Sequence, residues 1–407
     1  MAGASPEGAP TAHGGRSARA PTAHGGRPPT RGPSPAAGFW ATLPRPVWAL
    51  APMEDVTDTV LRRLLRRWGG ASVPGGASTG GSAAPVDIGA PAIGRGGAGD
   101  ASGPSSPAVM FTEFTRVDAP MRAAQGYEPG RLRYTEVERP IVAQLWGTRP
   151  EEFYRAARAL AELGFNGIDL NFGCPVKKIR AAGACSALIA NRPLAAEIIA
   201  AVREGGPLPV SAKTRVGLDQ IRTEEWCGFL LEQGLAALTV HGRIAAQMSE
   251  DWADWREVAR VVRLRDEIAP GTLILGNGDV RSLAHGRRLV EQTGADGVMV
   301  GRGIFWDPLL FTRGPIVGGR PSEGASVLID GVDADPWGAT PLHERLDYLE
   351  AHLQEWHTVW GNRRNWEILK KFFRNYLRGD RSGLLERLYA AQTVDEALRA
   401  IAASGIQ

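Results

Sequence analysis

Short apolar runs recur along this chain and alternate with segments of helical periodicity. The runs span residues 47–51, 109–114, 141–145, 167–170, 210–213, 237–240, 273–275 and 297–300. Between them, segments such as 150–163 and 193–203 repeat apolar side chains at intervals of three and four, which predicts amphipathic helices. Eight strands alternating with helices predict an α/β fold, a (β/α)₈ TIM barrel.

A doubly wound open sheet is the structural alternative to the barrel. It is disfavoured because no GxGxxG pattern follows the first predicted strand. From about residue 341 the pattern changes to helices alone, at 343–360, 366–377 and 382–390. We therefore expect a small helical bundle after the barrel.

Three stretches rich in Gly, Ala, Ser and Pro mark the expected domain boundaries. Residues 1–40 form a low-complexity tail in which the octamer APTAHGGR occurs at 9–16 and again at 20–27. This tail has too few large apolar side chains to fold, so we expect disorder. Residues 69–107 are interpreted as a flexible surface insertion and residues 314–340 as a linker. The barrel then occupies 41–313 and the helical domain 341–407.

Composition narrows the class of protein. The chain has 407 residues, 43% of them hydrophobic, and a net charge of only +3, so any basic surface must be local. Its three cysteines show no CxxC spacing, which supports neither a disulfide framework nor a metal site and fits a reducing compartment such as the cytoplasm. No apolar run approaches the roughly 18–20 residues of a membrane span, so no membrane association is expected.

The loop after the fourth strand carries a thiol, Cys174, between Gly173 and Pro175. The carboxyl ends of barrel strands are where catalysis takes place in this architecture. Most cysteines are simply small buried apolar residues. A tight loop at a strand end is not needed for packing, so the position favours a functional thiol.

Polar side chains at other strand ends suit a flavin. Gln144 offers an amide for a pyrimidine edge, and Lys213 offers a cation for the charge that a reduced flavin carries. Lys213 has an alternative role, a salt bridge at the barrel rim with Glu113 or Asp169. His241 can contact a flavin, its phosphate or a substrate, or be purely structural.

Glycine-rich turns follow strands 7 and 8, at residues 276–279 and 301–303. Barrels of this kind usually bind a phosphate group there, through backbone N–H groups and a helix N-terminus. Each turn alone is a weak signal, but the two together predict a phosphate site.

In this order, the strand-end motifs resemble those of the tRNA-dihydrouridine synthase family. The matching segments are 50–58 (LAPMEDVTD), 112–114 (TEF), 143–145 (AQL), 169–178 (DLNFGCPVKK), 213–215 (KTR), 239–243 (TVHGR), 276–279 (GNGD) and 297–303 (GVMVGRG). The resemblance implies an FMN-bound barrel that uses NADPH to reduce the carbon 5–carbon 6 double bond of chosen uridines in tRNA. No dinucleotide fingerprint separates NADPH from NADH, and a monomer is expected.

The resemblance also implies roles for individual residues. Cys174 would be the proton donor. The residues implied at the cofactor are Pro52, Met53 and Glu54 lining FMN, Gln144, Lys213 and His241 contacting the flavin, and Asn277, Gly278, Asp279, Gly301 and Arg302 at its phosphate end.

The implied chemistry requires a general acid to protonate carbon 5 of uracil after hydride reaches carbon 6. A thiol of ordinary pKa, about 8.5, is protonated at pH 7 and can serve. A nucleophilic cysteine would need a depressed pKa, which Lys177 or Lys178 can provide, so the residues alone leave both roles open. The family's glycine-rich run after the Cys-Pro pair departs here, with Cys185 where glycine is common. We expect this departure to affect the loop conformation rather than the chemistry.

Basic residues in the helical region are candidates for contacts with tRNA phosphates. They are Arg363, Arg364, Lys370, Lys371 and Arg374. The interleaved aromatic residues follow a core stripe and are not expected to stack on bases. A solvated basic helix face is the alternative, and the family resemblance favours RNA binding.

Two other functions compete with a tRNA-dihydrouridine synthase. One is another flavin barrel that reduces free pyrimidines or enones and needs no basic helical domain. The other is a tRNA-binding protein without catalytic activity, which would carry no flavin.

Overall fold

The strands of the chain form one parallel sheet that curves into a barrel. The computed structural model describes residues 35–69, 106–312 and 336–406. The strands are β1 (Val47–Leu50), β2 (Met110–Phe111), β3 (Thr115–Arg116), β4 (Ile141–Trp146), β5 (Gly167–Phe172), β6 (Val210–Arg215), β7 (Ala237–His241), β8 (Leu273–Asn277) and β9 (Gly297–Val300). Their side chains are almost all buried.

The sheet order is β1-β9-β8-β7-β6-β5-β4-β2, and β3 also pairs with β4. Every pairing is parallel. An isolated parallel bridge between Ala49 and Val109 connects the two ends of this order and brings the barrel close to closure. The predicted TIM barrel is therefore confirmed, and all of its strands end on one rim.

Helices surround the barrel and continue beyond it. They are α1 (Thr59–Trp68), α2 (Ala119–Ala124), α3 (Pro150–Glu162), α4 (Lys177–Ala181), α5 (Arg192–Gly205), α6 (Thr223–Leu231), α7 (Trp255–Ile268), α8 (Leu283–Thr293), α9 (Gly303–Trp306), α10 (Leu342–Trp360), α11 (Lys370–Tyr376), α12 (Leu384–Ala390) and α13 (Val394–Ala402). Within the described ranges, no helix combines the length and apolar character that crossing a bilayer needs.

The second predicted strand, at 109–114, is wrong as a continuous element. Residues 112–114 separate β2 from β3. Inside this break, the fully buried carboxylate of Glu113 accepts the backbone N–H of Asp55 at 2.6 Å. The backbone leaves the ladder where a buried charge needs partners from outside the sheet.

Two predicted boundaries also change. The tail was expected to reach residue 40, but Pro35–Thr42 form a 3₁₀ helix in which Trp40 is fully buried. The linker was expected to reach residue 340, but Trp337 is fully buried and donates its indole N–H to the carbonyl of Asn375 at 2.8 Å. The remainder of the predicted tail, insertion and linker lies at 1–34, 70–105 and 313–335, outside the described residues.

The ends of the predicted insertion are joined by one side chain. Arg66, in the last turn of α1, donates to the hydroxyl of Ser106 at 2.8 Å and to the carbonyl of Pro107 at 2.7 Å. A third bond reaches the carbonyl of Arg139 at 2.8 Å, just before β4. Arg66 therefore fixes the approach to the second strand position relative to α1.

The helical region contains one helix more than the sequence predicts, α13. Thr393 caps it by accepting the backbone N–H of Glu396. The spacing of Thr393 and Glu396 is that of a capping box, a signal that was available in the sequence. Val394, Ala397 and Ile401 bury one face of this helix in the core.

The helical region is attached directly to the barrel. Glu355 of α10 forms ion pairs with Arg63 at 2.8 Å and Arg67 at 3.1 Å, both on α1. The indole N–H of Trp360 donates to the buried carboxylate of Asp58 at 2.7 Å. Asp58 caps α1 at the end of the loop that follows β1, so α10 contacts the side of the barrel on which the strands end.

A buried ion pair beneath α1 provides a test of the fold. Arg62 and Glu138 are fully buried and lie 2.6 Å apart. Replacing Arg62 by Leu leaves the Glu138 charge unpaired, so the free energy of unfolding should fall by about 3–5 kcal/mol in urea titrations. Arg149→Leu is the matched control, because its ion pair with Glu152 is exposed on the Arg149 side and should contribute less than about 1 kcal/mol. Equal losses in the two variants would contradict a structural role for the buried pair.

Candidate active site

A cleft with a volume of about 460 Å³ lies at the carboxyl ends of the strands. This size is within the range of small-molecule sites in proteins. The cleft brings together Cys174 and nearly all residues predicted to bind the cofactor: Pro52, Met53, Gln144, Lys213, His241, Asn277, Gly278, Asp279, Gly301 and Arg302. They meet because parallel strands place their carboxyl ends on one rim.

Glu54 is the predicted cofactor residue that the cleft lining does not include. Its side chain is largely exposed and forms an ion pair with Arg131 at 2.6 Å. The residue follows Met53 on the turn after β1. Its carboxylate is paired with Arg131, although it lies close enough to the cleft to act on the pKa of Cys174.

A chain of buried hydrogen bonds orients Gln144. Its amide nitrogen donates to Asp169 at 2.6 Å, and its amide oxygen accepts from the Asn171 side chain at 3.0 Å. Ser211 donates to the other carboxylate oxygen of Asp169 at 2.6 Å. Burial raises the pKa of Asp169 to about 6 despite these bonds. The Gln144 amide is thus fixed in one orientation, with one N–H and one lone pair left for a ligand.

Asn171 also shapes the loop that carries the thiol. Its side-chain oxygen accepts the backbone N–H groups of Gly173 at 3.0 Å and Cys174 at 2.9 Å. Such an Asn turn makes the chain reverse just after a strand. One side chain therefore connects the Gln144 amide to the Cys174 loop, a role that residue order alone did not reveal.

Two thiols lie together in this loop. The side chain of the buried Cys185 donates a hydrogen bond to the sulfur of Cys174, and this bond lowers the pKa of Cys174 to about 7 although burial opposes it. The same contact and burial raise the pKa of Cys185. Lys177 and Lys178, which the sequence suggested as the cause, are exposed and are not the source of the shift.

Cys185 adopts a left-handed backbone conformation, with φ of 54°. A side chain at such a φ costs roughly 1 kcal/mol or more, and strain of this kind is concentrated at functional sites. Ser186, the next residue, donates its hydroxyl to the carbonyl of Cys174 at 2.8 Å. Cys185 therefore occupies a backbone conformation that favours glycine, and its side chain lowers the pKa of the neighbouring thiol.

Lys213 brings a charge into the cleft without a carboxylate partner. Its ammonium group donates to the side-chain oxygen of Asn277 at 2.9 Å. Across the described part of the chain, no salt bridge joins Lys213 to Glu113 or Asp169, the partners considered from sequence. Burial and the neighbouring Arg215 lower the pKa of Lys213 to about 8. An anionic ligand would raise this pKa and further stabilise the charged form.

His241 is neutral. Burial, together with the charges of Lys213 and Arg215, holds its pKa well below the usual range. Arg243 donates to its Nε2 atom at 2.9 Å, so the ring proton must reside on Nδ1. The imidazole can offer one N–H donor but carries no positive charge.

The turns after β8 and β9 form the basic end of the cleft. Arg243 forms two hydrogen bonds to Asp279, at 2.7 and 2.9 Å, and Arg302 reaches the same carboxylate at 3.4 Å. The Asp279 carboxylate is therefore occupied by arginines and positions them, rather than binding a phosphate itself. Gly278 has φ of 123°, and a Cβ there would lie 2.4 Å from that of Ala253, so only glycine fits.

Arg364 is not available to RNA phosphates, contrary to the prediction. Its guanidinium is largely buried and forms ion pairs with Glu113 at 2.7 Å and Asp55 at 2.9 Å. It also lies over the rings of Trp356 and Trp360. Arg364 thus connects the helical region to the barrel rim.

The other predicted RNA-binding residues differ in exposure. Lys370 is largely buried and donates to Glu367 at 2.6 Å and to the Tyr389 carbonyl at 2.8 Å. Arg363 is exposed but donates to the Trp360 and Val359 carbonyls. Lys371 and Arg374 are exposed on α11. The latter two are the best placed to meet a polyanion.

Comparisons with known proteins identify the family of this chain. A profile of the family described as Dihydrouridine synthase (Dus) matches residues 49–378. "Probable tRNA-dihydrouridine synthase 2" of Bacillus subtilis (strain 168) is 36% identical over 88% of this chain and 94% of its own length. "Probable tRNA-dihydrouridine synthase" of Staphylococcus aureus (strain COL) is 37% identical over 88% of this chain and 93% of its own length.

The thiol pair predicts a measurable reactivity. Alkylation of Cys174 by iodoacetamide should rise with pH with a midpoint near 7, because the thiolate is the reactive form. Cys185→Ala removes the hydrogen-bond donor, so the midpoint should move to higher pH. Cys185→Ser keeps a donor and should shift it less. Cys185 and Cys227 are buried with raised pKa values, so only Cys174 should be labelled. Mass spectrometry can verify that a single site has reacted. An unchanged midpoint in Cys185→Ala would contradict the thiol–thiol contact.

Proposed function

Since the chain belongs to the dihydrouridine synthase family, we propose that it reduces the 5,6 double bond of specific uridines in tRNA, with FMN as cofactor and NADPH or NADH as reductant. The observation that carries this proposal is the composition of the cleft. A half-buried thiol with lowered pKa shares it with a fixed amide, an unpaired cation and a basic, glycine-rich end. This combination suits the delivery of a proton beside a bound phosphate-bearing cofactor.

The residues of the cleft fit FMN. Gly278 and Gly301 let the backbone approach a phosphate group, and Arg302 adds positive charge where α9 begins at Gly303. The oriented Gln144 amide retains one donor and one acceptor for the edge of a flavin ring. Lys213 supplies the cation that favours the reduced, negatively charged ring.

The proposed chemistry assigns the proton to Cys174. FMN held in this cleft would supply hydride to carbon 6 of the uracil ring, and the Cys174 S–H would then protonate carbon 5. A pKa of about 7 lies near the working pH, where a general acid is most effective. The Cys185 S–H stabilises the thiolate that remains after the transfer, and Asn171 holds the loop in place through two backbone N–H groups.

The tRNA must present an unstacked uridine to the cleft, which costs a few kcal/mol. We propose that exposed cations of the helical region, Lys371 and Arg374 with a contribution from Arg363, hold the phosphate backbone. The same proposal places a monomeric enzyme in the cytoplasm. Arg364 is excluded from this set because buried carboxylates occupy it.

A thiol variant tests the mechanism. Cys174→Ala should keep FMN and its bleaching by NADPH, since the phosphate end and Gln144 are untouched. Dihydrouridine formation in undermodified tRNA should fall by about 10²–10⁴-fold, the usual contribution of a general acid. Cys227→Ala, in a buried thiol of α6, is the matched control and should remain active.

The same preparation separates the competing functions. Reduction of free uracil or an enone, with tRNA unchanged, would indicate a different flavin reductase. A colourless protein without a flavin spectrum would indicate a binding protein. Full activity of Cys174→Ala would contradict the acid role.

A charge variant tests the RNA surface. Lys371→Ala combined with Arg374→Ala should weaken tRNA binding and reduce the slope of log K against log salt by about 1.4–1.8, the value for two lost phosphate contacts. The matched control removes two exposed arginines from α3, with Arg155→Ala and Arg158→Ala, and should leave the slope unchanged. Equal effects of the two pairs in filter-binding titrations would contradict a specific role for α11.

A further inference from the structure

Two exposed tryptophans and two arginines form a continuous stack beside the cleft. The Arg281 guanidinium lies 4.9 Å from the ring centres of both Trp252 and Trp306. Arg378 lies 5.5 Å from the Trp306 ring. The two tryptophans are 48% and 50% exposed. We call Trp252, Arg281, Trp306 and Arg378 the tryptophan ladder.

The ladder is assembled from parts of the chain that are far apart in sequence. Trp252 lies in the segment between β7 and α7, Arg281 follows β8, and Trp306 is the last residue of α9. Arg378 comes from the helical region and donates to the Phe305 and Trp306 carbonyls at 3.4 Å. Large aromatic side chains are usually buried, so half-exposed indoles held in a stack are typical of a binding surface.

The position of the ladder connects two surfaces already described. Arg281 and Trp306 belong to the lining of the cleft. Phe305, next to Trp306, packs against Phe372 of α11 with ring centres 5.1 Å apart. The outer face of α11 carries the exposed Lys371 and Arg374. The tryptophan ladder therefore lies between the cleft and α11.

We propose that the tryptophan ladder is a stacking platform for unpaired bases of the tRNA strand on one side of the target uridine. This inference rests on the proposed tRNA substrate and adds the site that receives the neighbouring nucleotides. Indole and guanidinium planes stack on any base, and each such contact contributes about 1–3 kcal/mol. A strand that has released one base into a pocket has unstacked neighbours that need new partners.

The charged residues near the tryptophan ladder favour base stacking over simple electrostatic attraction of phosphate groups. The carboxylates of Glu250 and Asp251 are exposed immediately before Trp252. Acidic residues this close along the chain weaken a purely electrostatic phosphate site, whereas a base-stacking site tolerates them.

The experiment uses the full chain with bound FMN and an undermodified tRNA transcript. Trp252→Ala and Trp306→Ala should each raise the tRNA Kd by about 5- to 100-fold. The slope of log K against log salt should stay that of the wild type, in contrast to the Lys371/Arg374 variant. Trp306→Tyr, which keeps an aromatic plane, should recover most of the affinity. Tyr154→Ala, at a 39% exposed position on α3, is the matched control and should not change the Kd.

A second measurement identifies the ligand directly. An unpaired oligouridylate should quench tryptophan fluorescence in the wild type, and less in Trp252→Ala and Trp306→Ala. Kd values within twofold of the wild type in both variants would overturn the ladder while leaving the proposed function intact. Slower flavin reduction by NADPH in these variants, with an unchanged tRNA Kd, would indicate that the tryptophan ladder binds the coenzyme. That result would also overturn its role as a stacking platform for tRNA. Failure of the wild type to bind tRNA would overturn the proposed function itself.

Discussion

The charge of Glu113 is the constraint around which this molecule is arranged. Its carboxylate is fully buried at the barrel rim, where the second strand position breaks, and an unpaired charge there would be very costly. The barrel provides a backbone N–H from Asp55, and the helical region provides the Arg364 guanidinium. Asp58 lies nearby, and burial together with Glu113 raises its pKa to about 6. The barrel and the helical region are thus joined by the pairing of a buried charge as well as by apolar packing.

This arrangement explains how a site built from short loops can be precise. The strand ends are fixed by the sheet, and each loop is fixed by a second set of hydrogen bonds. Asn171 holds the thiol loop, Arg243 holds Asp279, and Arg215 donates to the carbonyls of Gly173, Ile244 and Met248. Because these side chains are buried, their bonds are not exchanged for water, and the cleft keeps its shape before any ligand arrives.

The barrel and most of its cleft could be predicted because both follow from periodicity. Strands repeat along the chain, and polar residues at their carboxyl ends must meet on one rim, which correctly placed Gln144, Lys213 and His241 in the cleft. Arg364 was misjudged because its partner Glu113 is 251 residues away in the chain, and a charge shows nothing of its partners in sequence.

The cause of the lowered Cys174 pKa was misjudged for a related reason. Its pKa depends on a hydrogen bond from Cys185 across a reversed loop, while the nearer lysines point to solvent. Local patterns therefore predicted which residues gather at the site. These patterns did not predict which of the side chains are already paired with other groups of the protein.

The contact of Arg66 with Ser106 and Pro107 has a consequence for how this chain can vary. The two ends of segment 70–105 are held by bonds outside that segment, from α1 to the residues that precede β2. These bonds do not involve residues 70–105, so they hold the approach to β2 against α1 whatever the length of that segment. The position between α1 and β2 is thus one where sequence can be inserted, deleted or replaced by a reporter domain without displacing the neighbouring strands.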